Sequence, residues 1–232
     1  MAKPHVVFVP GLLCNELLWE HQLAHLSAVA NCMVANVTQA DSITGLAESA
    51  LAQAPERFAL CGLSMGGIIA NAMMRIAPER IERLALLDTN ARADLPEQTE
   101  RRRLLLELSA AGRMAEVALT LLPNLVHPSR LADAPLTNAI VGMACSIGAA
   151  AFERQITALI GRPDARGALG SYDLPTLIVC GRADAITPLE MHEEMASLIP
   201  NSLLSVIEDC GHMSTMEQPQ AVTALLSTWL QL

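Results

Sequence analysis

The sequence predicts an α/β fold in which a mainly parallel sheet of about six strands is flanked by helices. Short apolar runs rich in β-branched residues alternate with amphipathic helical stretches along most of the chain. Such alternation requires crossover connections, which produce a parallel sheet covered by helices on both faces. The composition agrees, because 52% of the 232 residues are hydrophobic and only 17% are charged, which suits a large buried core.

Each predicted strand is a short apolar run, and each predicted helix has apolar residues at helical spacing. The predicted strands span residues 5–10, 32–37, 58–63, 84–88, 176–180 and 203–207. The predicted helices span residues 18–29, 43–53, 65–76, 189–198 and 220–230. Because strand and helix follow one another in sequence, these segments predict repeated strand–helix–strand units.

The stretch 91–172 interrupts this alternation, since it shows helical patterning but no convincing strand. Proline and glycine residues divide it into four or five short helices. The dividing residues are Pro96, Gly112, Pro123, Pro128, Pro135, Gly161, Pro163 and Gly167. We therefore predict a core formed by 1–90 and 173–232, with 91–172 inserted as a helical cap over the carboxyl ends of the strands.

Charge and cysteine content argue against several classes of partner and cofactor. A net charge of -9 opposes binding to nucleic acid or to anionic lipid. The six cysteines are scattered without paired spacing, so we expect neither disulfides nor structural zinc, and no other metal or cofactor. The first strand begins near the N-terminus and apolar stretches are short, so we expect a cytoplasmic protein without membrane contact.

The most informative segment is Gly62-Leu63-Ser64-Met65-Gly66, which lies between an apolar strand and an apolar helix. A Gly-x-Ser-x-Gly turn in this context holds the serine in a strained conformation with its hydroxyl exposed. The same five-residue pattern also occurs by chance in purely structural turns. The interpretation of Ser64 as a nucleophile therefore depends on a general base and a carboxylate elsewhere in the chain.

His212 is the best candidate for the base, because it lies in a glycine-containing loop between the last strand and the last helix. The remaining histidines lie in a strand, in helices or in a proline-flanked turn, where surface or packing roles are expected. They are His5, His21, His25, His127 and His192.

Asp184 is the leading candidate for the acid, since it lies in the loop that follows the strand 176–180. Asp88 competes with it, because it ends the strand 84–88 directly after the serine unit. If Asp88 is not the acid, we expect it to brace the turn at Thr89 and Asn90. Asp209 is less favoured, because it lies so close to His212 in sequence.

Acyl transfer also needs backbone N–H groups that bind the developing oxyanion. We expect these donors to be Met65, which follows the serine, and Leu12, in the loop after the first strand. The Ser64 turn, Gly181-Arg182-Ala183-Asp184 and Gly211-His212 together resemble the α/β-hydrolase superfamily. The chain departs from the common His-Gly oxyanion motif of that family by having Pro10-Gly11.

The resemblance implies a serine hydrolase, and we expect cleavage of a carboxylic ester through an acyl-serine intermediate. Enol-lactone or carbon–carbon bond hydrolysis with the same triad is an alternative, and so is a ligand-binding protein without turnover. The expected substrate-binding residues are mainly apolar and favour a small or medium, uncharged acyl group. They are Leu13, Met143, Ile147, Phe152 and Met213.

The run Arg101-Arg102-Arg103 has two interpretations. It is either a site for a carboxylate or an acyl-carrier partner, or a solvated helix face. The second interpretation is favoured because charge ahead of an apolar run is usually solvated.

Overall fold

The computed structural model describes residues 3–232 and contains one sheet of six parallel strands, which confirms the predicted fold class. The strands are β1 (His5–Val9), β2 (Asn31–Val34), β3 (Phe58–Leu63), β4 (Ile81–Leu87), β5 (Thr176–Gly181) and β6 (Ser202–Ile207). Their order across the sheet is β2-β1-β3-β4-β5-β6. The central strands β3 and β5 are buried along their whole length, which explains their continuous apolar sequences.

Strand β4 begins three residues earlier than predicted, at Ile81 instead of Leu84. The additional residues Glu82 and Arg83 are polar, so the apolar run that predicted this strand begins only at Leu84. The structure pairs this end with β3, where Phe58 lies opposite Ile81. Pairing with β3 thus makes β4 longer than its apolar sequence alone predicts.

Helices cover both faces of the sheet. The α-helices outside the segment between β4 and β5 are α1 (Glu20–Leu26), α2 (Ile43–Gln53), α3 (Met65–Ile76), α9 (Leu189–Leu198), α10 (Ser214–Glu217) and α11 (Pro219–Trp229). Helices α2, α3 and α9 contribute Leu46, Ile69 and Met195 to the apolar cluster on one face. Helices α1 and α11 contribute Leu26 and Trp229 to the cluster on the other face.

The segment between β4 and β5 is helical, and within residues 3–232 it adds no strand to the sheet. Its α-helices are α4 (Pro96–Ala110), α5 (Met114–Leu125), α6 (Ala134–Ile147), α7 (Ala149–Ile160) and α8 (Arg166–Leu169). Pro123 does not separate two helices as predicted, because it lies inside α5 near its end. A third apolar cluster joins α5, α6 and α7 through Val117, Ala144 and Ile156.

In residues 3–232, no single helix is both long and apolar enough to cross a membrane. Helices α6 and α7 reach that length and apolarity only as a pair, and they are bent by 92° relative to each other.

The strand order creates a crevice at one edge of the sheet. After β1 the chain first adds β2 on one side and then β3 on the other, so the direction of strand addition reverses between β1 and β3. Ligands of open α/β sheets bind outside the carboxyl ends of the strands at such a reversal. The loop after β1 and the turn at Ser64 both lie at this point.

Candidate active site

Ser64 occupies a strained turn between β3 and α3, with φ 56° and ψ −118°. This region of backbone conformation is costly for a residue with a side chain and persists only where the surroundings enforce it. A Cβ on Gly62 would collide with the Gly66 carbonyl, and a Cβ on Gly66 would collide with the Val9 carbonyl. Glycine at both positions is therefore required for the close approach of α3 to the sheet.

The end of β4 holds the backbone of this turn. The Ser64 N–H donates to the Leu87 carbonyl at 3.0 Å, and the Thr89 hydroxyl donates to the Ser64 carbonyl at 2.7 Å. The Thr89 N–H donates in turn to Nε2 of His192 on α9 at 3.0 Å. Burial lowers the pKa of His192 to about 4, so His192 is a neutral, packed acceptor, in line with its predicted packing role.

The structure brings Ser64, His212 and Asp184 together from three separate loops. Nε2 of His212 lies 2.8 Å from Oγ of Ser64, and Nδ1 of His212 lies 2.8 Å from Oδ2 of Asp184. Both His212 and Asp184 are buried, at 2% and 4% exposure. This is the geometry in which a histidine accepts a proton from a serine while a carboxylate fixes its tautomer.

Asp184 is fully provided with hydrogen-bond donors. Its Oδ1 accepts the N–H groups of Ile186 and Thr187 at 2.8 and 2.9 Å, and its Oδ2 accepts the Thr187 hydroxyl at 2.7 Å. Burial acts to raise the pKa of Asp184, but the charge and hydrogen bond of His212 and the Thr187 bonds outweigh it, so the pKa lies below its ordinary value. Asp184 is therefore ionised at neutral pH.

The pKa of His212 shifts in the opposite direction. Burial acts to lower this pKa, but the charge and hydrogen bond of Asp184 outweigh it and raise the pKa above 6.5. A raised pKa makes the imidazole a stronger base and stabilises the imidazolium that a proton transfer would form.

Asp88 is buried and has φ 44°, but it makes no hydrogen bond to His212 within the described chain. Its Oδ1 accepts the Gly181 N–H at 3.0 Å, and its Oδ2 accepts the N–H and hydroxyl of Ser214. It thus links the ends of β4 and β5 to the loop that carries His212. The expected bracing of Thr89 and Asn90 is wrong, because the carboxylate points toward these more distant groups.

Burial and the nearby charge of Asp184 raise the pKa of Asp88 to about 8. Asp88 is therefore largely protonated at neutral pH. Asp184 and Asp88, the two candidates for the acid, therefore differ both in hydrogen bonding and in charge state.

Leu12 and Met65 both line the cavity in front of Ser64. Within residues 3–232, neither backbone N–H has a hydrogen-bond acceptor, so both are available to a bound oxygen. The neighbouring Leu13 has φ 59°, and its N–H donates to Oε1 of Gln155 at 3.1 Å. Nε2 of Gln155 donates to the Val37 carbonyl at 3.1 Å, so Gln155 fastens the loop after β1 to the loop after β2.

Gln155 was not predicted from the sequence. Its signal is a single polar residue on the apolar face of α7, between Phe152 and Ile156, where it is completely buried. A buried amide on an apolar helix face must find hydrogen-bond partners, and here those partners belong to the site.

Glu217 was also missed, although it lies only five residues after His212. Its Oε1 accepts the N–H groups of Gly211 and Met213 at 2.9 and 3.3 Å, and its Oε2 accepts the His127 N–H at 2.6 Å. Burial raises the pKa of Glu217. The Glu217 side chain therefore joins the histidine loop to the chain that follows α5.

The end of α5 contacts the same loop directly. The N–H groups of His212 and Met213 both donate to the Leu125 carbonyl at 3.0 Å. The helical segment between β4 and β5 thus helps to hold the loop that carries His212.

The cavity beside Ser64 and His212 has a volume of about 410 Å³. Of the predicted substrate-binding residues, the structure places Leu13, Met143 and Met213 on its wall. Ile147 and Phe152 do not lie on this wall, and Phe152 is instead fully buried in the apolar cluster that joins α5, α6 and α7. The local apolar pattern of the helices gave no indication of which apolar side chains face the cavity and which face a neighbouring helix.

In the described chain, no cluster of three His, Cys, Asp or Glu side chains is arranged to hold a metal ion.

A parallel sheet that carries a strained Gly-x-Ser-x-Gly turn at its carboxyl edge, with a histidine and a carboxylate in contact with the serine, is typical of the α/β-hydrolase class. Residues 53–219 match the family model described as alpha/beta hydrolase fold, and the chain belongs to that family.

Its relatives are hydrolases. The chain is 26% identical to a pimeloyl-(acyl-carrier protein) methyl ester esterase of Aromatoleum aromaticum, over 97% of this chain and 98% of the relative. It is 26% identical to 3-oxoadipate enol-lactonase 2 of Acinetobacter baylyi, over 69% of this chain and 59% of the relative. The solved structure of a thermophilic esterase from Thermogutta terrifontis is 30% identical, with a TM-score of 0.90 over 99% of this chain and 90% of that chain.

Proposed function

We propose that this chain hydrolyses carboxylic esters through an acyl-serine intermediate, with Ser64 as nucleophile, His212 as general base and Asp184 as the acid of the triad. One observation carries the proposal: hydrogen bonds run from Ser64 Oγ through His212 to Asp184 Oδ2, with 2.8 Å at each contact. The esterase relatives support the same reaction class.

In the acylation step, His212 removes the Ser64 proton as Oγ attacks the ester carbonyl. The N–H groups of Leu12 and Met65 stabilise the negative oxygen of the tetrahedral intermediate, and removal of one such donor typically costs about 2.7 to 4 kcal/mol. The imidazolium, stabilised by Asp184, then protonates the leaving alcohol. Water, activated by His212, releases the acyl group and restores Ser64.

We propose that residues 91–172 act as a cap that selects the substrate. This segment supplies Met143 and several leucines to the cavity wall, which suits a small or medium, mainly apolar ester. The cavity volume of about 410 Å³ supports a small-molecule substrate.

The test is a panel of p-nitrophenyl esters of increasing acyl length, with the native protein and the variant Ser64→Ala. We expect the native protein to hydrolyse short and medium esters, and the variant to lose activity by about 10⁴-fold or more. A fluorophosphonate probe should label the native protein at Ser64 and leave the variant unlabelled. Absence of both turnover and labelling in the folded native protein would overturn the proposal in favour of a ligand-binding protein.

A second candidate activity is hydrolysis of an enol-lactone with the same three residues. The relative named 3-oxoadipate enol-lactonase 2 favours it. Steady-state rates on a simple enol-lactone and on an open-chain ester of similar size separate the two. If kcat/KM for the enol-lactone exceeds that for the open-chain ester by more than tenfold, enol-lactones would replace open-chain esters as the proposed substrate class.

A further inference from the structure

The cavity wall carries three arginines in a chain whose net charge is -9. Arg101 and Arg102 lie on α4, and Arg162 follows α7. Among the described residues that line the cavity, no aspartate or glutamate faces these cations. Positive charge is therefore concentrated on the wall of the cavity that contains Ser64 and His212.

A single carboxylate lies behind this wall. Asp94 contacts Nε of Arg102 at 3.2 Å and Nη1 of Arg162 at 2.9 Å. Asp94 is thus shared by two of the three arginines, and Arg101 has no carboxylate within ion-pair distance in residues 3–232. The wall has an uncompensated positive charge.

Arg162 is held firmly in this wall. Its side chain is only 3% exposed, its Nε donates to the Arg92 carbonyl at 2.9 Å, and its Nη2 reaches Oε1 of Gln98 at 3.4 Å. A guanidinium carries five N–H donors, and these contacts leave donors free. Burial and the charge of Arg102 lower the pKa of Arg162 to about 10, the direction expected for a cation that lacks a full counter-charge.

A preorganised, partly desolvated guanidinium cluster matches the planar, two-oxygen geometry of a carboxylate. The apolar residues Leu12, Met143 and Met213 line the same cavity near Ser64 and His212. One cavity thus combines a reactive serine, an apolar surface and a cationic wall. These parts suit an ester whose chain ends in a negative charge.

We infer that the natural substrate is an ester bearing a free carboxylate at a distance from the scissile bond, with that carboxylate bound by Arg101, Arg102 and Arg162. This inference rests on the proposed ester hydrolysis and changes its expected substrate from an uncharged acyl group to an apolar chain with an anionic end. It also replaces the interpretation of Arg101 and Arg102 as a solvated helix face, whereas Arg103 is exposed and pairs with Glu100.

The test compares esters of equal chain length with and without a terminal carboxylate. One pair is the mono-p-nitrophenyl ester of adipic acid and p-nitrophenyl hexanoate, and a second pair carries the carboxylate on the alcohol side of an alkyl ester. We expect kcat/KM to favour the carboxylate-bearing ester of at least one pair by tenfold or more. The preference should shrink as salt is raised, because screening weakens the charge interaction.

Arg101→Gln is the informative variant, because Arg101 is exposed and forms no ion pair within residues 3–232. It should reduce the preference about tenfold by raising KM for the carboxylate-bearing ester, and Arg101→Lys should restore part of the preference. Arg103→Gln is the matched control on the same helix and should leave both rates unchanged. Arg162→Gln should abolish the preference, although it also removes the bonds to Asp94 and Arg92.

The outcomes separate the inference from the proposed function. Equal rates within both ester pairs, with normal hydrolysis of the neutral esters, would overturn the inference and leave ester hydrolysis standing. If no ester is hydrolysed, calorimetric binding of monomethyl adipate and the neutral methyl hexanoate to the native protein and to Arg101→Gln still tests the cationic wall. Binding of monomethyl adipate that is no tighter than that of methyl hexanoate, or that is unaffected by Arg101→Gln, would overturn the inference.

Discussion

At the residue scale, Asp184 and Asp88 are two buried carboxyls with opposite pKa shifts. Asp184 accepts hydrogen bonds from His212, Ile186 and Thr187, and its pKa is lowered despite burial. Burial and the nearby charge of Asp184 raise the pKa of Asp88 to about 8. The environment therefore assigns them different charges at neutral pH, although both follow strands in similar loops.

Asp184→Asn should reduce kcat by about 10³- to 10⁴-fold, because an amide no longer stabilises the imidazolium or selects the right tautomer of His212. Asp88→Asn should keep kcat within a few-fold, since Asp88 is already mostly uncharged at pH 7. Both rates are measured on the best p-nitrophenyl ester at pH 7.5. Near-full activity in Asp184→Asn together with collapse in Asp88→Asn would reverse the assignment.

The pH profile of kcat/KM should rise with pH through a single inflection above 6.5. The reason is that His212 must be neutral to accept the Ser64 proton, and its pKa is raised by Asp184. Initial rates between pH 5 and pH 9 test this expectation. An inflection below 6.5 would show that burial outweighs the carboxylate.

Asp88→Asn should also change the pH dependence of stability. A carboxyl whose pKa rises from 3.8 unfolded to about 8 folded binds more protons in the folded state, so stability falls as the pH rises between these values. Asparagine removes that penalty, so the variant should become more stable relative to the native protein as the pH rises from 5 to 9, by about 1 kcal/mol or more. Urea unfolding at both pH values measures it, and parallel curves for the two proteins would contradict the raised pKa.

At the element scale, α7 reaches the loop after β1 through Gln155. Gln155→Met keeps the volume of the side chain but removes its bonds to Leu13 and Val37. We expect kcat to fall at least about tenfold with a smaller change in KM, because the neighbouring Leu12 N–H, our proposed oxyanion donor, would act mainly in the transition state. Gln53→Met is the matched control, since Gln53 makes the same kind of bonds to Asn36 outside the cavity. Equal effects of the two substitutions would exclude a special role for Gln155.

Glu217 is the contact between the short helix α10 and the chain after α5. Glu217→Gln keeps one acceptor oxygen but places an N–H₂ group opposite either His127 or the Gly211 loop. We expect a loss of about 1 to 3 kcal/mol in unfolding free energy and a lower kcat, since the His212 loop loses a support. Glu208→Gln, which removes only an exposed pair with Arg182, should leave both unchanged. A Glu217→Gln protein with native stability and kcat would contradict this role.

At the scale of the whole molecule, the alternation of strands and helices predicted the parallel sheet because each segment carries its own periodic pattern. The strands of the centre are buried on both faces and therefore read as continuous apolar runs. Strand β4 shows the limit of this reasoning, since its first residues Glu82 and Arg83 pair with β3 despite their polarity. Local patterns predict that an element exists better than they predict where it begins.

Some features of the candidate site could also be predicted from the sequence, and others could not. The glycine spacing around Ser64, the loop positions of His212 and Asp184, and the apolar character of part of the wall were readable from sequence, because each belongs to one short segment. Whether Ile147 and Phe152 face the cavity or a neighbouring helix could not be predicted, because it depends on how the helices pack against one another. The strained backbone of Ser64 depends on the close packing of Gly66 against Val9, which is far away in sequence.

The α/β class, the serine turn and the loops that carry the partner side chains could be predicted from the amino-acid sequence, since they follow from local periodicity and from residues that favour turns. Three features required the folded structure: Asp184 rather than Asp88 contacts His212, Gln155 and Glu217 hold the site loops, and Arg101, Arg102 and Arg162 line one cavity. The difference arises from distance along the chain. A hydrogen bond such as that between Leu13 and Gln155 joins residues 142 positions apart, and no local pattern records which buried polar groups will meet.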